Sequence, residues 1–225
     1  MKRYFLVRHG ETDLNALGVF YGNTDCPLNE KGKTQSKFVG EYLSKIVFDK
    51  VYTSPFIRAV DSKNIILAEN ENKESYEEIY DDRLKEINFG IWENKYVEEI
   101  EKMDPEYWKL YFKGWPDVPA PEGENFAAFF LRVKSFFSEV MNAADQSEVT
   151  NTNQSEVIET GQNKNDENIL IVAHKGSIGL MPVFAMNLGI RDYWKFSIEQ
   201  GYYSVITEDK GKFYIEKLNT KAILT

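Results

Sequence analysis

Tyr4-Phe5-Leu6-Val7-Arg8-His9-Gly10-Glu11-Thr12 is the stretch that decides how the rest of the chain is read. Residues 4–7 are apolar without a break and run straight into a polar turn. A short apolar run of this kind predicts a buried strand that runs into a loop. The same pattern returns far downstream, where Ile169-Leu170-Ile171-Val172-Ala173 ends at His174. The chain has two histidines, and each follows the carboxyl end of such a run. Ligands of open α/β sheets sit just beyond those strand ends, so the two rings are placed to share one crevice. Either histidine alone reads first as a strand cap or a satisfied core group. The pair carries the information.

Between these strands, residues 50–54 (Lys-Val-Tyr-Thr-Ser) predict another strand, stopped by Pro55. Arg58 then opens a predicted helix over residues 58–69, at the same edge of the sheet. A phosphoryl group spreads charge over three oxygens, and the planar guanidinium forks of Arg8 and Arg58 match that geometry. Singly, each arginine would pass for a surface ion-pair partner. Helical spacing of apolar residues marks residues 29–46 and, more clearly, 125–140, where Phe126, Phe129, Phe130, Val133, Phe136, Phe137 and Val140 recur. Residues 204–207 and 213–215, joined by Glu208-Asp209-Lys210-Gly211, predict a terminal hairpin. Strands alternating with helices predict an α/β layered fold with a largely parallel sheet.

Composition limits the partners. The 225 residues carry a formal charge of −9, which disfavours nucleic acid and anionic membranes as partners of the whole chain. No apolar run approaches the length of a membrane span, and the amino terminus does not read as a secretory leader. A single cysteine, Cys26, offers no internal disulfide and fits a reducing, cytoplasmic setting. Residues 143–168 break the pattern: they lack aromatics, repeat Gln-Ser-Glu-Val, and hold six acids against one lysine. Such a stretch buries too little surface to offset its ordering entropy. It is read as a mobile polar insertion in one domain spanning 1–225.

Six elements in order then resemble one family, the histidine phosphatase superfamily of phosphoglycerate-mutase-like proteins. Leu6-Val7-Arg8-His9-Gly10-Glu11-Thr12 with Asn15 resembles its signature. Gly22-Asn23-Thr24-Asp25-Cys26-Pro27-Leu28, Ser54-Pro55-Phe56-Ile57-Arg58-Ala59, Leu84-Lys85-Glu86-Ile87-Asn88-Phe89-Gly90-Ile91-Trp92-Glu93, Pro121-Glu122-Gly123-Glu124-Asn125 and Val172-Ala173-His174 are similar to its later motifs. The likeness covers nearly the whole chain apart from the polar insertion.

The resemblance implies a three-layer sandwich and a phosphomonoester hydrolase of the metal-independent, acid phosphatase type, with no cofactor, acting on a small phosphorylated metabolite. By the same implication His9 is the nucleophile, and Arg8, Arg58 and His174 surround the phosphoryl oxygens. Glu86 exchanges protons with the leaving group and with water, while Asn15, Tyr21 and Gly22 serve the phosphate pocket and the substrate approach. His9 must be neutral to attack, and His174 would face the phosphoryl group better as a cation. Asp61-Ser62 and Lys175 depart from the family pattern, which commonly has Gln-Thr and Gly there. The segment 91–121, with Trp92, Trp108, Tyr111 and Trp115, is expected to roof the pocket.

Three other functions are open. A cofactor-dependent phosphoglycerate mutase would carry basic residues where this chain has Ile87 and Asn88. A non-catalytic phosphate-binding module would keep the pocket without turnover. A metal enzyme finds weak support in two histidines without a ligand cluster.

Overall fold

The computed structural model describes residues 1–72, 76–145 and 166–222. Six strands form one sheet: β1 (Lys2–Arg8), β2 (Lys50–Thr53), β3 (Glu77–Tyr80), β4 (Glu167–Ala173), β5 (Tyr202–Asp209) and β6 (Lys212–Lys221), in the order β3-β2-β4-β1-β5-β6. The pairs β1–β4, β2–β4 and β2–β3 are parallel, while β5 lies antiparallel to both β1 and β6. Five strands therefore share one direction and β5 alone opposes them, in line with the expected largely parallel sheet.

Alternation along the buried strands feeds two cores. Tyr4, Leu6, Tyr52, Ile169, Ile171 and Ala173 face one side, and Phe5, Val7, Val51, Leu170 and Val172 the other. The first face packs on α6 (Phe126–Asp145) and α7 (Lys175–Ala185). The second packs on α2 (Glu30–Tyr42) and α3 (Ile57–Ala68), through Val39 and Ile66. The result is a helix–sheet–helix sandwich. Its apolar central strands are explained by cover on both faces.

Several elements differ from expectation. α6 continues to Asp145 and β4 begins at Glu167, so the insertion is shorter at both ends than 143–168. Residues 146–165, including both Gln-Ser-Glu-Val copies, lie outside the described residues. β3 is an exposed, acidic edge strand with no apolar alternation to announce it. α7 contains Gly176, Gly179 and Pro182, all poor helix residues, yet Gly176 to Val183 are all buried. Tertiary packing overrides propensity there. Three short helices, α1 (Asp13–Leu17), α4 (Val97–Met103) and α5 (Pro105–Lys113), complete the elements that carry the site. The hairpin turns on Lys210 and Gly211, both at positive φ, as a two-residue connection between right-twisted strands requires.

Candidate active site

Register brings the distant motifs together. Val7 lies level with Val172, and Val172 with Thr53, so the loops after β1, β4 and β2 leave the sheet side by side. The ladder runs one step further, with His9 N–H donating to Ala173 O at 2.9 Å and Ser54 N–H to Val172 O at 3.1 Å. His9 and His174 therefore meet, their ring centroids 5.1 Å apart, and both rings are almost wholly buried.

Hydrogen bonding assigns the tautomers. A carbonyl oxygen only accepts, so the 2.7 Å contact of His9 Nδ1 with Gly10 O makes Nδ1 the donor. The ring's lone pair is left on Nε2. Burial first, then Arg58 and Arg8, hold the His9 pKa well below the ordinary imidazole value, so the ring is neutral at pH 7. At His174, Nδ1 accepts from Arg58 Nε–H at 3.3 Å, and Nε2–H donates to Ser54 Oγ at 2.7 Å. Burial, Arg58, His9 and Arg8 lower its pKa in the same way. His174 is thus neutral in the free site, where no phosphoryl anion faces it. The cause is burial among two arginines, which local sequence does not reveal.

Neutral burial of both rings has a consequence for stability. The unfolded chain takes up these protons near pH 6.5, while the folded chain resists until a lower pH. Below 6.5 the unfolded state binds more protons, so stability is lost on acidification, by up to about 1.4 kcal/mol per pH unit per ring. Urea unfolding at pH 7.5 and 5.5 should show wild type losing more stability than His9→Gln, by on the order of 1 kcal/mol. Equal losses would contradict the neutral, depressed state of His9.

The arginines divide their donors differently. Arg58 is 1% exposed and ties the loop after α1 to His174: its NH1 donates to Thr24 O at 2.9 Å and its NH2 to Gly22 O at 2.6 Å. Arg8 gives NH1 to Ile198 O at 3.0 Å, and its buried Nε has no partner among the described residues. Ser62 accepts from Gly10 N–H and donates to Arg58 O, so the hydroxyl at this departure from the family pattern links the two motifs.

Glu86 sits on the other side. Its carboxylate accepts from Ile87 N–H at 3.0 Å and from Gly176 N–H, at the start of α7, at 2.9 Å. Arg132 fixes the backbone that carries it. That guanidinium donates to Arg83 O, Lys85 O and Glu86 O while holding both oxygens of Glu124 at 2.8 Å. Nothing in the sequence announces Arg132, which lies on the expected helix with its partners up to 49 positions away.

The loop carrying Tyr21 and Gly22 is stapled by Glu93. Its carboxylate accepts from the N–H groups of Gly22, Asn23, Thr24 and Phe89 and from Thr24 Oγ. Burial pushes the Glu93 pKa up, but these donors outweigh it and leave it below the ordinary carboxylate value. The Trp-Glu end of its motif was the available signal. Gly22 has to be glycine, because a Cβ there would lie 1.9 Å from Ile87 O. Asn15 stands one layer back: its Oδ1 accepts from Tyr21 OH at 2.8 Å and Gln200 Nε2 at 2.5 Å, bracing the Thr12–Tyr21 corner.

Over this group opens a cavity of about 440 Å³ whose lining includes Arg8, Tyr21, Glu86, Lys175 and Gly176. The histidine rings are not in that lining; the residues next to them in the chain are. From the segment expected to form a roof, Tyr111 and Trp115 reach the cavity, together with Phe112. Trp92 is instead the centre of a satellite core against which Trp108 packs. Tyr193 and Trp194, beyond α7, also line the cavity and were not foreseen.

The comparisons agree with this geometry. Residues 4–221 match the histidine phosphatase superfamily (branch 1). The adenosylcobalamin/alpha-ribazole phosphatase of Salmonella typhimurium is 29% identical over 221 residues, covering 98% of each chain. Phosphoserine phosphatase 1 of Hydrogenobacter thermophilus is 29% identical over 219 residues, covering 97% of this chain and 92% of that one. Among solved structures, the alpha-ribazole phosphatase of Shigella flexneri superposes with a TM-score of 0.82 at 26% identity, over 99% of this chain and 98% of its own. With its motifs in order, its sheet in register and its two histidines face to edge, this chain belongs to the histidine phosphatase superfamily, branch 1.

Proposed function

We propose that this chain hydrolyses phosphate monoesters of a small metabolite in two steps, through a phosphohistidine on His9 and without a metal ion. The observation that carries the reading is the neutral His9 ring, pinned through Nδ1–H to Gly10 O with its lone pair on Nε2, beside His174 and two guanidiniums. In the first step Nε2 attacks phosphorus, the ester P–O bond breaks, and Glu86 gives its proton to the leaving alkoxide. In the second, Glu86 takes a proton from water, the hydroxide attacks phosphorus, and the P–N bond breaks to release inorganic phosphate. Arg8, Arg58 and His174 stabilise the charge on the equatorial oxygens. A phosphoryl anion beside His174 also raises that ring's pKa, so the group can gain a proton when substrate binds. Tyr21 and Gly22 shape the approach, and Asn15 assists the pocket by bracing Tyr21 from behind. The whole chain, 1–225, acts as one catalytic domain in this reading, in a cytoplasmic setting.

Two measurements test it. Labelled substrate quenched in alkali should leave label on the protein that acid removes, as a phosphoramidate behaves, and peptide mapping should place it at His9. Steady-state activity should be unchanged by excess chelator; activity lost and then restored by a divalent ion would replace this mechanism with a metal-assisted one. Among the described residues no three His, Cys, Asp or Glu side chains cluster to hold such an ion.

A further inference from the structure

The cavity above Arg8 and Glu86 has walls that phosphoryl transfer does not require. Nine of its fourteen lining residues are aromatic. Trp115, Phe126 and Tyr193 form a continuous wall, with centroid separations of 5.1 Å and 4.9 Å between successive rings. At the rim stand Phe112 and Trp194, 58% and 69% exposed, and Trp194 lies 5.7 Å from Trp115. Large aromatic surface left in water at the mouth of a pocket is surface that a bound apolar group can cover.

The charges in the same lining point the same way. Arg8 and Lys175 are cations, and Lys175 makes no ion pair among the described residues. Glu86 is the one acid, and both its oxygens already accept backbone N–H groups. The ammonium of a phosphorylated amino acid would find no unengaged carboxylate in this lining, even where Lys175 took up that ligand's own carboxylate. A flat apolar ring would meet surfaces of its own kind.

We infer that the ester this site takes carries a planar aromatic system on its leaving-group side, seated along the Trp115–Phe126–Tyr193 wall and closed over by Phe112 and Trp194. The inference rests on the hydrolase reading above and adds the class of substrate. A volume of about 440 Å³ accommodates a two-ring system with its linker.

The test compares 2-(1-naphthyl)ethyl phosphate, ethyl phosphate and phosphoserine, all alkyl esters, so that the difference lies in binding the remainder rather than in the bond broken. The naphthyl ester should exceed the other two in kcat/KM by about 100-fold, from burial of its rings. Replacing the exposed pair, Phe112→Ala with Trp194→Ala, should cut that ratio about tenfold. Equal values for the three esters, or faster turnover of phosphoserine, would overturn the inference while leaving the hydrolase intact. If no ester is turned over, the hydrolase reading falls, and binding to the His9→Ala protein, followed by tryptophan fluorescence, judges the pocket separately. Tighter binding of the naphthyl ester than of ethyl phosphate by a similar factor supports it, and equal binding refutes it.

Discussion

Replacing His9 by alanine should lower kcat/KM for 4-nitrophenyl phosphate by at least about 10⁴-fold, because the variant loses the group that forms the covalent intermediate. Four powers of ten correspond to about 5.4 kcal/mol of barrier, more than any single electrostatic contact in the pocket is expected to supply. His174 cannot take over as it stands. Its Nδ1 lone pair is directed at Arg58 Nε–H and its Nε2 carries the proton donated to Ser54. Arg8 and Arg58 remain in the variant, so the pocket should still bind inorganic phosphate while failing to turn over ester. Thermal unfolding supplies the control, since among the described residues the ring makes one side-chain hydrogen bond, to its neighbour Gly10, and its removal should leave a folded protein. Binding without turnover, in a folded variant, separates chemistry from collapse. A folded variant that kept more than about 1% of wild-type kcat/KM would place the nucleophile elsewhere.

What could be read in advance, and what could not, follows from the range of the interactions. β1 and β4 were legible because continuous apolar runs are the local mark of strands covered on both faces, and β2 because Val51-Tyr52-Thr53 favours a strand that Pro55 stops. Once those strands are parallel and in register, the convergence of His9, His174 and Arg58 needs no further information. β3 had no such mark: Glu77-Glu78-Ile79-Tyr80 is an edge strand, and its outer side faces water. Among the aromatics of the segment 91–121, local sequence shows that rings are present but not which way they face. Trp92 turned inward to the satellite core, Tyr111 and Trp115 toward the cavity. The neutral state of His174 in the free site is not legible locally, because it depends on Arg58, 116 positions away, and on burial that only the assembled sheet provides.

Glu86→Gln provides the second large effect, and one whose size should depend on the substrate. The carboxylate is held by Ile87 N–H and Gly176 N–H, and its backbone by Arg132, so the amide can occupy the same place without supplying a proton. An alkyl ester, whose leaving alkoxide is strongly basic, cannot depart unprotonated. Its kcat/KM should fall by about 10³-fold, within the span usual for general acid–base catalysis. The nitrophenolate of 4-nitrophenyl phosphate needs no proton to leave at pH 7, so phosphorylation of His9 by that ester should be nearly spared. The second step still needs a base for water, and there the variant stalls. Stopped-flow mixing should therefore show a burst of one nitrophenolate per active site followed by a slow steady state, with phosphohistidine accumulating. Equal losses for both esters and no burst would mean that Glu86 binds or positions substrate rather than moving a proton.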